Sequence, residues 1–157
     1  MIRNILKWTL TVALLCWCVF IWQFSFAPAE QSANTSSEVV DFCNEVLESI
    51  GSDKQVTHHT VRKTAHFSEF FVLGALAVAT LAAHGFRHAL FLSPLVFVSA
   101  AVIDECIQLF TPGRGPAVLD VLLDCLGGLG GAAVFFLLLS LVQYIIYKRK
   151  EKISKTT

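Results

Sequence analysis

Charge is what this sequence has least of. Only 15% of its 157 residues are Asp, Glu, Lys or Arg, and 12 basic and 12 acidic side chains cancel to a net charge of zero. Set against 55% hydrophobic residues and a mean hydropathy of +0.64, so little charge excludes a soluble domain of this size and makes lipid the solvent of the core. The neutral balance leaves no electrostatic footprint for nucleic acid, and no such partner is expected. Cysteine patterning is equally poor. Cys16, Cys18, Cys43, Cys106 and Cys125 are odd in number, sit mostly in apolar runs and form no C-x-x-C pair, so they read neither as a disulfide framework nor as a cysteine zinc site and are left as small packing residues. The chain also lacks a Ser-His-Asp pattern, a nucleophile elbow, an internal repeat and a low-complexity tract.

What is present is four long apolar runs, residues 5–26, 64–83, 88–110 and 119–147, each close to or above the roughly 20 residues that cross a bilayer. The last is long enough to tilt or to run into the interface. The connections at 84–88 and 111–116 are so short that the second, third and fourth runs are expected as antiparallel neighbours. Basic residues are retained on the cytoplasmic side of span ends. With both termini inside, that side carries Arg3, Lys7, Arg87, Lys148, Arg149, Lys150, Lys152 and Lys155, joined by one acid, Glu151. The expected fold is an all-α integral membrane protein, four transmembrane helices in an antiparallel bundle, N-in/C-in, in a cell membrane with lipids as its constant partners.

Arg3, Lys7, the apolar run from Trp8 and the triplet Ala27-Pro28-Ala29 imitate a secretory signal with an A-x-A cleavage site. The run is longer than a signal core, and Trp8, Trp17 and Trp22 suit an anchored helix with interfacial ends, so a retained first span is the reading adopted. The outer loop, 28–61, places Val39, Val40, Cys43, Val46, Leu47 and Ile50 at helical spacing behind Ser36 and Ser37 as N-cap candidates. This predicts a short extracytoplasmic amphipathic helix on the membrane surface, either a solvated cover or a contributor to holding an amphiphile. The chain thus divides into a first span (1–27), the loop (28–61), a three-helix core (62–147) and a basic cytoplasmic tail (148–157).

Following the topology brings the start of the second span, the end of the third and the start of the fourth to the outer side. The ionisable residues lie there too. Arg62, Lys63, His66 and Glu69 open the second span, Asp104, Glu105 and Gln108 close the third, Arg114 is in the turn, and Asp120 and Asp124 open the fourth. Spacings of three and four put His66 and Glu69, Asp104 and Gln108, and Asp120 and Asp124 on shared faces. At about 1.5 Å per residue, Glu69, Asp104 and Asp124 each lie on the order of 10 Å inside their helix ends, at one depth. An intramembrane Asp costs about 2.5–3.5 kcal/mol at a helix centre, so these carboxylates need partners. They either fasten the helices together or, being more numerous than the nearby bases, form a site for ligand or proton chemistry. Asp120 and Asp124 lack companion metal motifs, and no metal or cofactor is expected.

Thr111-Pro112-Gly113-Arg114-Gly115-Pro116 predicts a type II turn with Pro112 and Gly113 central, Gly115 and Pro116 limiting helix continuation, and Arg114 held over the mouth of the bundle. An arginine there suits bidentate contact with a carboxylate or phosphate. Gly127 and Gly131, answered by Gly74, Ala75, Ala79 and Ala83, are expected as small residues where two spans approach closely.

These blocks resemble the VanZ-like family. Lys63-Thr-Ala-His66-Phe-Ser-Glu69-Phe, Asp104-Glu105-Cys-Ile-Gln108-Leu-Phe-Thr-Pro-Gly-Arg114 and Asp120-Val-Leu-Leu-Asp124-Cys-Leu-Gly127 fall in the family's order between Val61 and Gly131, with Ser25-Phe26-Ala27-Pro28 loosely similar. The resemblance implies a bacterial integral membrane protein, related to a glycopeptide-resistance accessory protein tied to low-level teicoplanin resistance, with no established reaction. It marks Lys63, His66, Glu69, Asp104, Glu105, Gln108, Arg114, Asp120 and Gly127 as signature positions, and Asp124 departs from a frequent Asn. Three functions stay open. One is a binding module for a lipid, a lipid-linked cell-wall precursor or a lipoglycopeptide. Another is an enzyme on a lipid-linked substrate, with His66, Glu69, Asp104 or Glu105 as acid or base and Arg62, Lys63 and Arg114 on a phosphate. The third is a proton- or ion-coupled transporter.

Overall fold

A computed structural model describes residues 1–155 except Pro116. Five helices and no strand occur among the described residues: α1 (Ile2–Ser25), α2 (Ala29–Ser49), α3 (His58–His84), α4 (Ala89–Leu109) and α5 (Val118–Ser154). The four expected apolar helices are present, α1, α3, α4 and α5 each being long and apolar enough to cross a membrane. Apolar side chains on their outward faces stay uncovered. Leu15, Phe91, Leu95 and Leu137 are all at least 60% exposed, which suits a hydrocarbon surround.

The helix ends depart from the hydropathy boundaries for local reasons. α3 begins six residues before the apolar run, because the Thr57 hydroxyl accepts from the Thr60 amide and caps a polar first turn. α5 continues through Ser154, where Glu151 pairs with Lys148 at 3.8 Å and Lys155 at 2.6 Å on one helix face. Its 37 residues extend roughly 55 Å, well beyond a hydrocarbon core of about 30 Å. α2 starts behind Pro28, so Ser36 and Ser37 are not caps. They lie inside the helix, and their hydroxyls bond back to the carbonyls of Ala33 and Asn34. The stretch from Ala29 to Ser49 holds no Gly or Pro, and nothing stops a helix propagating from the proline.

α3 packs on α5 through the predicted small residues. A side chain at Gly127 would run into the Phe67 carbonyl, one at Gly131 into the Phe71 carbonyl, and one at Gly74 into the Gly128 carbonyl. Gly128 itself lies against the Phe97 ring of α4. Ala75, Ala79 and Ala83 instead line an apolar cavity of about 640 Å³ with Leu6, Leu10 and Phe135. Phe70, Leu73, Val78, Phe97, Ala101 and Ala132 form the centre of the bundle.

α1 is tied in by its polar atoms. Thr11 meets His84 at 3.0 Å, Thr80 donates to the Leu10 carbonyl at 3.3 Å, and the Trp17 indole donates to the Glu69 carbonyl at 2.9 Å. Later in α1 the Trp22 indole reaches the Ala100 carbonyl of α4 at 3.2 Å. Trp17 and Trp22 therefore stitch helices together rather than marking interfacial ends. These contacts, together with the α3–α5 seam, bring the last turns of α1 and α4 beside the early turns of α3 and α5.

Candidate functional site

That meeting of helix ends encloses a polar centre around Asp104, which is 1% exposed. Its two oxygens each accept a hydrogen bond, Oδ1 from the Ser25 hydroxyl at 2.6 Å and Oδ2 from the Gln108 amide, one turn later on α4, at 2.7 Å. Both donors are themselves buried. Thr111 closes this end, its hydroxyl donating to the Ser25 carbonyl at 2.9 Å. Buried polar groups need partners, and here α1 and α4 supply them to each other.

His66 of α3 faces this centre. Its Nδ1 lies 3.9 Å from Asp104 Oδ2 and 4.0 Å from Asp124 Oδ1 of α5. Asp124 is 3% exposed, and its Oδ1 is buried without a hydrogen-bond partner. Asp104 and Asp124 flank His66, while Glu69 sits three residues, or about 4.5 Å, further along α3 and lines a neighbouring cavity.

The remaining sequence candidates separate into two groups. Lys63 pairs with Asp120 at 3.1 Å on a partly exposed flank, and Glu105 accepts a hydrogen bond from the Ala117 amide at the N-cap of α5. These two contacts pin the turn and the start of α5. Arg62, His66, Glu69 and Arg114 instead share a cavity of about 520 Å³ between α1, α2, α3 and the turn, whose apolar wall includes Phe24, Val39, Val61 and Ala65.

The turn has the predicted geometry. The Arg114 amide donates to the Thr111 carbonyl at 3.2 Å and Gly113 has φ of 75°, as the third residue of a type II turn requires. Pro116, also assigned to this connection, falls outside the described residues. Arg114 reaches over the end of α1, where Nη2 donates to the Phe24 carbonyl at 3.2 Å, while Nε and Nη1 are buried without partners. Burial first, then the neighbouring Arg62 charge, lowers its pKa, an effect opposed by Asp104. An anion in the cavity would relieve both burdens.

Sequence reasoning did not single out Ser25 and Thr111 as members of the site. The available signal was slight: a hydroxyl closing an apolar run in Ser25-Phe26-Ala27-Pro28, the block already noted as similar to the family. It also missed that His66, Asp104 and Asp124 bring their ligand-type atoms within 4.8 Å of one another, because they come from three helices with no shared spacing.

The VanZ/LLP1 family model matches residues 10–143, which take in all five helices in whole or in part and every residue of the polar centre. The chain belongs to that family. No curated protein and no solved structure matches it.

Proposed function

We propose that this member of the VanZ/LLP1 family binds the anionic headgroup of an amphiphile at the outer end of an antiparallel, N-in/C-in bundle in the bacterial cytoplasmic membrane. The ligand is a lipid, a lipid-linked cell-wall precursor or a lipoglycopeptide, which ties the protein to the cell envelope and to teicoplanin resistance. The reading is carried by Arg114, whose guanidinium keeps two buried nitrogens without acceptors on a cavity shared with Arg62. Leaving buried donors unmade costs about 1–3 kcal/mol each, more for charged groups, and a phosphate satisfies an arginine fork in bidentate fashion. Phe24, Val39, Val61 and Ala65 on the same cavity offer an apolar wall for the chain that carries such a headgroup.

The topology supports the same side. The basic ends Arg3, Lys7 and the run from Lys148 to Lys155 are retained in the cytoplasm, which leaves the cavity facing outward. α2 contributes Val39 to that cavity and serves as its amphipathic cover.

The test titrates purified protein in detergent with phosphatidylglycerol, a polyprenyl-phosphate-linked precursor and teicoplanin, and repeats each titration with Arg114→Ala. Binding of at least one ligand, weakened about tenfold or more in the variant with its helicity retained, is expected from the loss of a charge-assisted pair. No binding of any of the three, or equal binding by the variant, overturns the reading. In cells, the variant is expected to lose whatever teicoplanin protection the wild-type protein confers.

A further inference from the structure

The polar centre behind the cavity has a geometry that hydrogen bonding does not account for. His66 Nδ1 is 3.9 Å from Asp104 Oδ2 and 4.0 Å from Asp124 Oδ1, distances too long for a direct hydrogen bond. All three atoms lie within 4.8 Å of one another, so a point equidistant from them is about 2.5 Å or less from each. A metal ion drawing its ligands in by a few tenths of an ångström reaches the usual 2.0–2.2 Å bond lengths to imidazole nitrogen and carboxylate oxygen.

The surroundings favour an ion there. Asp104 is held by Ser25 and Gln108, both acting as donors, which fixes the carboxylate's orientation in the way outer hydrogen bonds orient a metal ligand. Asp124 has no such support. Its Oδ1 is buried, faces His66 and takes no hydrogen bond. Of the nearby bases, Lys63 pairs with Asp120, and Arg62 and Arg114 line the adjoining cavity; among the described residues neither arginine forms an ion pair with Asp104 or Asp124. Two buried carboxylates and one imidazole then form a concave donor set whose charge a single divalent cation balances.

We infer that His66, Asp104 and Asp124 form a binding site for one divalent first-row transition-metal ion. One nitrogen and two oxygen donors suit zinc, manganese or iron rather than calcium, whose sites are built from oxygen alone. The ion ties α3, α4 and α5 together at one point. This inference does not depend on the anion-binding proposal, because the site is assayed without any amphiphile.

The test uses the full chain purified in detergent. After chelator treatment and removal of the chelator, the wild-type protein is titrated with Co²⁺ and followed by visible absorption, and the stoichiometry is measured by elemental analysis. One equivalent of Co²⁺ with ligand-field bands, displaced by Zn²⁺, is expected. Asp124→Asn, close in shape and size, is expected to weaken Co²⁺ binding at least tenfold with helicity retained, whereas Glu151→Gln, at the far end of α5 and paired with Lys148 and Lys155, leaves it unchanged. Folded wild-type protein that takes up no Co²⁺ or Zn²⁺ overturns the inference. So does Asp124→Asn protein that binds as tightly as wild type. Should Asp124→Asn fail to fold, wild-type stoichiometry and a Mn²⁺ titration followed by electron paramagnetic resonance decide the matter alone.

Discussion

The seam between α3 and α5 and the polar centre at the end of α1 and α4 hold the same bundle by opposite means. Along the seam there is almost nothing chemical: glycine backbone lies on phenylalanine and glycine carbonyls, and contact depends on the absence of side chains. At the polar centre, nearly everything is directional, with Ser25, Gln108 and Thr111 each making a defined hydrogen bond. The difference teaches which kind of change each region tolerates. A seam built on missing atoms fails when an atom is added, and a centre built on donors and acceptors fails when one is taken away.

Gly131→Ala breaks the comparison most severely. Its new Cβ would overlap the Phe71 carbonyl, a backbone atom that cannot rotate away, and α3 and α5 must separate. The expected loss is about 3 kcal/mol or more, at the upper end of overpacking costs, seen as a large drop in the thermal-unfolding midpoint in detergent. Gly130→Ala on the same helix is the control. There the added Cβ meets only the Phe71 ring at 3.4 Å, ordinary contact, and alanine's helix propensity makes the change neutral or stabilising. Equal losses at the two positions would show that the seam is not set by backbone approach.

Asp104→Ala attacks the other region. It leaves the Ser25 hydroxyl and the Gln108 amide without their acceptor in a buried setting, and a destabilisation of about 2–3 kcal/mol is expected from two orphaned donors. Asp104→Asn, which keeps one acceptor oxygen, is expected to lose less. Equal losses for the two variants, measured by unfolding midpoints, would mean that the carboxylate's charge, which both remove, rather than its acceptors governs the region.

Much of this was legible in the sequence because the signals were local. Four apolar runs gave four membrane-compatible helices, Pro112-Gly113 gave the turn, and Gly127 with Gly131 gave the close seam. What was not legible required distance in the chain. Ser25 meets Asp104 across 79 positions and Trp17 meets Glu69 across 52, and nothing in the spacing of either residue announces its partner. The helix starts were misplaced for a different reason. Hydropathy reports where the chain is apolar, whereas Thr57 and Pro28 decide where helices begin, and both stand in polar sequence.

Trp17→Phe sharpens the contrast at lower cost. An aromatic ring is kept, but phenyl is smaller than indole, so the donor to the Glu69 carbonyl and part of the packing against the core are lost together, a change expected to cost about 1–2 kcal/mol. The carbonyl already serves within the α3 ladder, so it is not left unsatisfied in the way the Asp104 donors are. An unfolding midpoint unchanged by this substitution would place the first helix's attachment elsewhere than at Trp17.

The smallest effect belongs to Lys63→Ala, although Lys63 has the more complete ion pair. Its Nζ lies 3.1 Å from Asp120, nearer than His66 lies to either aspartate, yet the two side chains are 34% and 22% exposed. Water and salt reach a pair in that position, and exposed pairs contribute about 1 kcal/mol at most. The variant is therefore expected to unfold within about 1 kcal/mol of wild type, with a difference that shrinks further as salt is added. Unfolding measured at low and high ionic strength checks this. A loss as large as that of Asp104→Ala, insensitive to salt, would mean that lipid covers the pair and that the directional chemistry of the polar centre extends outward to the flank of α3 and α5.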